Sequence, residues 1–327
     1  MYSVEELKQK INKEIDAWSE ELNQKEQKEL YAPVKYALGM GGKRLRPVLL
    51  LMTANMFQEE IDNGLTAAIA VEIFHNFTLL HDDIMDKAEM RRNNPTVHKK
   101  FSENKAILSG DAMAFLSYKL LLKCRCEKLF EITQLFTETA LEVCEGQQYD
   151  MDFENRQNVT QAEYLEMIKL KTAVLIACSL KAGAQLSDAD DETAKLIYDF
   201  GINLGMAFQL QDDLLDTFGN QQTFGKKIGG DIVANKKTFL LIEALEKANT
   251  EQKSQLKKWL AKTDFNPDEK IKAVSGIFNQ INIKKRTEEK IDFYFFSASE
   301  ILQKIQLEEK RKMPLKNLIQ KMLGRKF

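Results

Sequence analysis

Residues 63–86, NGLTAAIAVEIFHNFTLLHDDIMD, are apolar on nearly every face, with no period-two alternation. Such a run predicts a helix at the centre of a helical protein rather than a strand or an amphipathic surface helix. Its last turn breaks the pattern, because Asp82, Asp83 and Asp86 crowd together there. Arg91 and Arg92 follow within two more turns. The same acid spacing returns in QLQDDLLD, residues 209–216, as Asp212, Asp213 and Asp216.

The neighbouring segments carry the same helical signature. Val4, Leu7, Ile11, Ile15 and Trp18 step by three or four and mark one apolar stripe. RPVLLLMTANMF (46–57) follows a Gly-Gly pair and reads as a helix with Pro47 in its first turn. Further helices are predicted near 107–122, 128–152, 161–184, 190–218, 234–248, 251–261, 267–280 and 284–304. Loops are predicted at 39–42, 93–95, 219–230 and 264–267, where Gly, Pro and Asn collect. No strand run is evident. With only 15 Gly and 5 Pro there are few turns, which favours long helices. The simplest organisation is one all-α domain over 1–327, with 284–327 a basic helical cap.

The 47 basic and 49 acidic residues leave a formal charge of -2, so no global charge points to nucleic acid or an anionic membrane. The tail KRKMPLKNLIQKMLGRKF (310–327) lacks aromatics interleaved for base stacking and reads as a solvated cap. AVLIACSLKAGAQL (173–186) is too short and too charged for a bilayer span. Cys124, Cys126, Cys144 and Cys178 lack zinc spacing and read as reduced packing residues. Together with an N-terminus that has no signal-peptide core, this predicts a cytoplasmic protein.

On a helix, Asp82 and Asp86 lie one above the other, with Asp83 beside them. Three carboxylates so close repel one another unless a divalent cation sits on them. Mg²⁺ takes hard oxygen ligands and completes its shell with water and substrate phosphates. One DDxxD motif is weak evidence. Two copies, each set in apolar sequence, are strong. If the two faces oppose each other across a bundle, they hold a metal cluster on a diphosphate. Cations suited to such a group stand in GGKRLRP (Lys43, Arg44, Arg46), at Arg91 and Arg92, at Lys171, and in GKKIGGDIVANKKT (Lys226, Lys227, Lys236, Lys237). His75, His81 and His98 have poor spacing for zinc, and hydrogen bonding to phosphate or carboxylate is the better reading.

In this order GGKRLRP, EIFHNFTLLHDDIMD, RRNNPTVH, LSGDAM, EGQQYDMDF, KTAVL, FQLQDDLLD, GKKIGGD and NKKT resemble the trans-isoprenyl diphosphate synthases, or polyprenyl synthetases. The resemblance covers about 35–240. It departs at Asn93, where the family commonly has Gly, and beyond the motifs the last third resembles the family only in being helical. Asn tolerates left-handed backbone, so the turn should survive. The resemblance implies an all-α bundle around a central cavity, a homodimer, and Mg²⁺ at about three ions per active site. It implies condensation of isopentenyl diphosphate with an allylic diphosphate, by ionisation, attack and proton loss.

The resemblance also implies residue roles. Asp82, Asp86 and Asp212 should be direct metal ligands, with Asp83, Asp213 and Asp216 completing the site. Arg91, Lys171, Lys226 and Lys236 should hold the allylic diphosphate. Lys43, Arg46, His75 and Arg92 should hold isopentenyl diphosphate beside Gly42. Thr172 and Gln209 should face the allylic cation, and Gln147 and Asp150 should line the cavity. Phe77, five residues before Asp82 and about 7.5 Å along the axis, should floor the product tunnel, with Phe74 one turn deeper. Small Thr78 stands where animal-type farnesyl synthases are aromatic. The implied product is geranylgeranyl diphosphate, with farnesyl diphosphate the alternative. A class I terpene cyclase would normally replace the second acid motif, and a non-catalytic subunit would tend to lose both. A di-metal carboxylate bundle needs two Glu-x-x-His pairs, and only Glu72–His75 fits.

Overall fold

The computed structural model describes residues 1–219 and 228–324, and it is all-α apart from one two-residue hairpin. In chain order the elements are α1 (Val4–Leu22), α2 (Lys28–Gly39), α3 (Leu45–Phe57), α4 (Asp62–Met85), β1 (Met90–Arg91), β2 (Asn94–Pro95), α5 (Val97–Lys100) and α6 (Glu103–Leu121). There follow α7 (Leu129–Asn155), α8 (Gln161–Ile168), a π-helical turn (Lys169–Ala173), α9 (Val174–Gln185) and α10 (Asp191–Phe218). The last are α11 (Gly230–Val233), α12 (Phe239–Lys247), α13 (Thr250–Ala261), α14 (Pro267–Gln280), α15 (Ile283–Lys304) and α16 (Glu309–Leu323).

Contacts group the chain into two compact units. The first comprises Met1–Glu138, Cys178–Tyr198 and Ile305–Leu315; the second comprises Thr139–Ala177, Asp199–Lys304 and Lys316–Phe327. Polar caps start many of the helices. Ser3 with Glu6, Thr160 with Glu163 and Asn249 with Gln252 form capping boxes, and Asn266 caps α14 ahead of Pro267.

Helix α4 is the core of the first unit, as its all-round apolar character requires. Ala67, Ala68, Ile69, Ala70, Val71, Ile73 and Phe74 are all buried, and α6 and α3 are its main neighbours. Close approach to α6 rests on Gly110, where any Cβ would collide with the imidazole of His81. In α1 the stripe is Leu7, Ile11, Ile15 and Leu22. Val4, predicted to join it, is exposed because it opens the helix.

Several expectations are corrected. Helix α2 was not expected, since it is short and carries Pro33, yet it buries Val34, Ala37 and Leu38. The loop predicted at 93–95 is part of a hairpin in which Met90 pairs with Pro95 and Arg91 with Asn94. Strands of two residues show no alternation to read. Arg92 and Asn93 have φ of 52° and 61°, the left-handed pair a two-residue hairpin turn demands, so Asn93 does replace Gly here. The helix predicted over 234–248 begins at Phe239, because Asn235 is left-handed and Thr238 caps α12. The basic tail is less solvated than its charge suggests: Ile291, Phe295, Leu302, Leu315, Ile319 and Met322 are buried. All four cysteines are free, but Cys144 is exposed rather than a packing residue. Among the described residues, no helix is long and apolar enough to cross a membrane.

Candidate active site

In the first unit the loop between α2 and α3 bends through Gly41 and Gly42, at φ of 75° and 142°. Arg92 of the hairpin donates through Nη1 to the Gly41 carbonyl, and a Cβ on Gly42 would lie 2.7 Å from its guanidinium. Only glycine allows this approach. Arg46, in the first turn of α3, reaches His75 Nε2 at 3.1 Å. An arginine can only donate, so His75 accepts there as a neutral imidazole. Burial pushes the His75 pKa well below its usual value, and the charges of Arg46, Arg92, Arg91 and Arg44 add to the shift. Lys43 is exposed on the same loop. Arg44 is not: it turns inward, 5% exposed, and pairs with Glu72 at 2.7 Å. Gly42, Lys43, Arg46, His75 and Arg92 are thus brought together, and Arg44 is withdrawn from them.

The neutral His75 has a measurable consequence. Because its folded pKa lies below the unfolded one, the unfolded chain takes up the proton first on acidification. This part of the stability is complete above about pH 6.5 and is lost as pH falls below that. Thermal unfolding between pH 7.5 and 5 should show the loss in the wild type. His75→Gln should show a shallower decline; an identical one would contradict the assignment.

The three acids of the first motif have different surroundings. Asp86 caps α4, its N–H bonded to the Asp82 carbonyl at 2.8 Å, so these two stay one turn apart at the helix end. Asp83 is buried, and both its oxygens accept from Arg91 Nε at 2.8 Å. Burial raises the Asp83 pKa, with Arg91 opposing the shift. Arg91 Nη2 also lies 3.4 Å from Asp82. Asp86 is exposed and Asp82 half-buried, and both carry the hard oxygens that Mg²⁺ takes. Among the described residues no three His, Cys, Asp or Glu side chains form a ready-made metal cage.

In the second unit the motif KTAVL is not the continuous α-helix predicted from the sequence. Lys169–Ala173 is a π turn, a device common at functional sites. Two glycines let neighbouring backbones press against it. A Cβ on Gly146 would collide with the Lys171 backbone, and one on Gly205 would lie 2.5 Å from Ala173 Cα. The turn sends adjacent side chains to different partners. Lys171 Nζ pairs with Asp150 at 2.7 Å, while Thr172 donates its hydroxyl to Gln209 Oε1 at 2.9 Å.

Lys236 joins the same acids, 3.5 Å from Asp150 and 3.0 Å from Glu154. Burial alone would raise the Asp150 carboxyl, but Lys171 and Lys236 hold it below the usual range. Gln147 Nε2 is buried with no hydrogen-bond partner in the protein.

Asp213 repeats the placement of Asp83. It is buried, accepting from Tyr164 Oη on one oxygen and from Gln209 Nε2 at 2.9 Å on the other. Burial pushes its pKa up to about 7, the two hydrogen bonds opposing and the Asp212 and Asp216 charges adding. Asp216 accepts from the Asp231 N–H at 2.9 Å, which ties the motif to the start of α11. Asp212 is half-buried. Tyr164 was missed by sequence reasoning, because a lone aromatic in an apolar helix reads as core. Lys226 and Lys227 lie outside the described residues.

Phe77 belongs to an aromatic cluster in the first unit. Its ring centroid is 5.4 Å from Phe74 and 4.9 Å from His81, and Phe74 lies 5.1 Å from Phe136. Phe74 is buried and Phe77 half-buried. Thr78 folds its hydroxyl back onto the His75 carbonyl at 2.8 Å. His81 Nε2 contacts the Ile107 carbonyl of α6 at 3.2 Å and lies 3.9 Å from the Asp111 carboxylate.

Residues 27–277 match the family model described as Polyprenyl synthetase. The chain belongs to the polyprenyl synthetase family. It is 41% identical over 249 residues to a geranylgeranyl diphosphate synthase of Methanosarcina mazei, covering 76% of this chain and 77% of that one. It is 39% identical over 248 residues to a geranylfarnesyl diphosphate synthase of Natronomonas pharaonis, covering 70% and 72%. A crystal structure of a geranylgeranyl pyrophosphate synthase superposes with a TM-score of 0.93 at 44% identity, covering all of both chains. The polyprenyl synthetase resemblance drawn from the motifs is borne out, and with it the all-α fold.

Proposed function

We propose that the chain is a short-chain trans-prenyltransferase that joins isopentenyl diphosphate to an allylic diphosphate and makes the twenty-carbon geranylgeranyl diphosphate. One observation carries the reading: both acid motifs are built to one plan. In each, the middle aspartate is buried and hydrogen-bonded, while the first is less buried and carries the hard oxygens Mg²⁺ takes. The names of the relatives support the product class. Thr78, small and tied to its own helix, favours twenty carbons over the fifteen-carbon alternative.

In this reading Asp82, Asp86 and Asp212 hold Mg²⁺, about three ions per site, with Asp83, Asp213 and Asp216 behind them. Bound there, Mg²⁺ supplies Lewis-acid stabilisation of the leaving diphosphate. Arg91, Lys171, Lys226 and Lys236 hold the allylic diphosphate. For Lys171 this means exchanging or sharing Asp150. Lys43, Arg46 and Arg92 hold isopentenyl diphosphate beside the Gly42 backbone, and His75 orients Arg46. Thr172 donates its hydroxyl hydrogen bond to Gln209, which leaves its oxygen lone pairs for the developing cation. Gln209 is fixed from both ends, by Thr172 and by Asp213. The double bond of isopentenyl diphosphate attacks, and the released diphosphate takes the proton.

The remaining parts of the proposal are one domain over 1–327, a cytoplasmic location and a homodimer. Helix α6 exposes Ile107, Leu108 and Phe115, its C-cap Leu122 is exposed too, and Phe130 of the same unit is 77% exposed. A second copy is the partner proposed for this apolar face. Phe115→Glu should shift the mass measured by size-exclusion light scattering from dimer to monomer; an unchanged mass would remove this face from the interface.

The reaction is tested by incubating the protein with isopentenyl diphosphate, Mg²⁺ and five-, ten- or fifteen-carbon allylic diphosphates, and sizing the products by chromatography. Condensation ending at twenty carbons is expected. No condensation with any primer would overturn the reading.

A further inference from the structure

Arg44 stands between two cations assigned to isopentenyl diphosphate, yet its side chain runs the opposite way, into the core of the first unit. Its backbone is left-handed, at φ of 52°, a conformation a long side chain adopts only when its surroundings hold it there. Every guanidinium nitrogen is engaged. Nε donates to Asn12 Oδ1 of α1 at 3.0 Å, Nη1 to Glu72 Oε1 of α4 at 2.7 Å, and Nη2 to the Leu38 carbonyl of α2 at 3.0 Å. Glu72 is itself buried, and Asn76 Nδ2 holds the same oxygen at 3.1 Å. One side chain therefore pins the loop to three helices.

Glu72 and His75 lie three residues apart on α4, one turn above the other. Glu72 grips Arg44 and His75 contacts Arg46, so α4 holds both ends of the segment 44–46. From the other side, Arg92 closes on Gly41 and Gly42. Lys43 is left as the residue that projects outward from a loop fixed on both flanks.

We propose that Arg44 and Glu72 are positioning residues for the isopentenyl diphosphate site: their buried pair sets the loop so that Lys43, Arg46 and Arg92 converge on one diphosphate. This rests on the proposed function. The competing view is a core ion pair that serves stability alone. The two differ in which substrate notices the loss. The allylic substrate depends on none of these loop groups, so only the KM for isopentenyl diphosphate should move.

The test is steady-state kinetics of Glu72→Gln, which keeps the volume and removes the charge, with Glu72→Asp as the conservative comparison. The KM for isopentenyl diphosphate should rise about tenfold or more in Glu72→Gln, with the KM for the allylic diphosphate within about twofold of wild type. Glu72→Asp should recover part of that rise. If Glu72→Gln does not fold, Asn12→Ala, which removes the Nε contact from a partly exposed position, should give a smaller rise of the same selectivity. Both KM values rising together, or a lowered melting temperature with both unchanged, would overturn the positioning role. A wild-type protein that condenses nothing would instead sink the proposed function, and the positioning role with it. An active wild type with an unaffected variant sinks the positioning role alone.

Discussion

Asp82→Ala is expected to reduce condensation turnover about a thousandfold or more, because a metal ligand at the leaving diphosphate contributes several kcal/mol at the transition state. Asp82 is the member of its motif best placed for this. Asp83 is committed to Arg91 in the interior, whereas Asp82 lies 3.4 Å from that arginine and keeps a partly exposed carboxylate. Truncating it removes no core packing, so the melting temperature should change little. The measurement is single-turnover product formation over a range of Mg²⁺, together with direct Mg²⁺ titration in the presence of inorganic diphosphate. A near-wild-type rate at high Mg²⁺ would remove Asp82 from the metal site. Asp83→Ala would be a different lesion, since it strips Arg91 of its buried partner and should lower stability as well as rate.

Phe77→Ala should lengthen the product. The ring lies on α4 five residues before Asp82, and Phe74 lies three residues deeper. Removing the Phe77 ring moves the floor back by about 4.5 Å at 1.5 Å per residue, room for roughly one more five-carbon unit. Phe74, packed edge-on against Phe136, then becomes the stop. The main product should shift upward by at least one isoprene unit when sized by chromatography. An unchanged spectrum would return Phe77 to the role of an ordinary core aromatic. Because Phe77 is only half-buried, the accompanying loss of stability should fall below the roughly 3–5 kcal/mol typical of a buried Phe→Ala change.

Much of this was legible before any coordinates. The apolar helix 63–86, the helical period of its neighbours and the two acid motifs follow from local spacing, and local spacing is what a sequence displays. The division of labour within each motif was not legible. Asp82 and Asp83 are adjacent and chemically identical, and a half-buried Arg91 on a hairpin eight residues on separates their surroundings. The π turn at Lys169–Ala173 was hidden for a related reason. Its residues are ordinary helix formers, and what makes room for it is Gly146 and Gly205, glycines on two other helices.

Arg44 is the sharpest case. By composition it belongs with Lys43 and Arg46 as a phosphate ligand, and nothing in GGKRLRP sets it apart. Its direction is decided by a carboxylate on α4, an amide on α1 and a carbonyl on α2. By itself the sequence determined that this protein is helical, that it carries two carboxylate clusters of one spacing, and which cations accompany them, because periodicity and residue chemistry are properties of short segments. Tertiary structure alone decided which of those charges face outward and which are consumed in the core. Burial and partner choice depend on side chains brought together from distant parts of the chain.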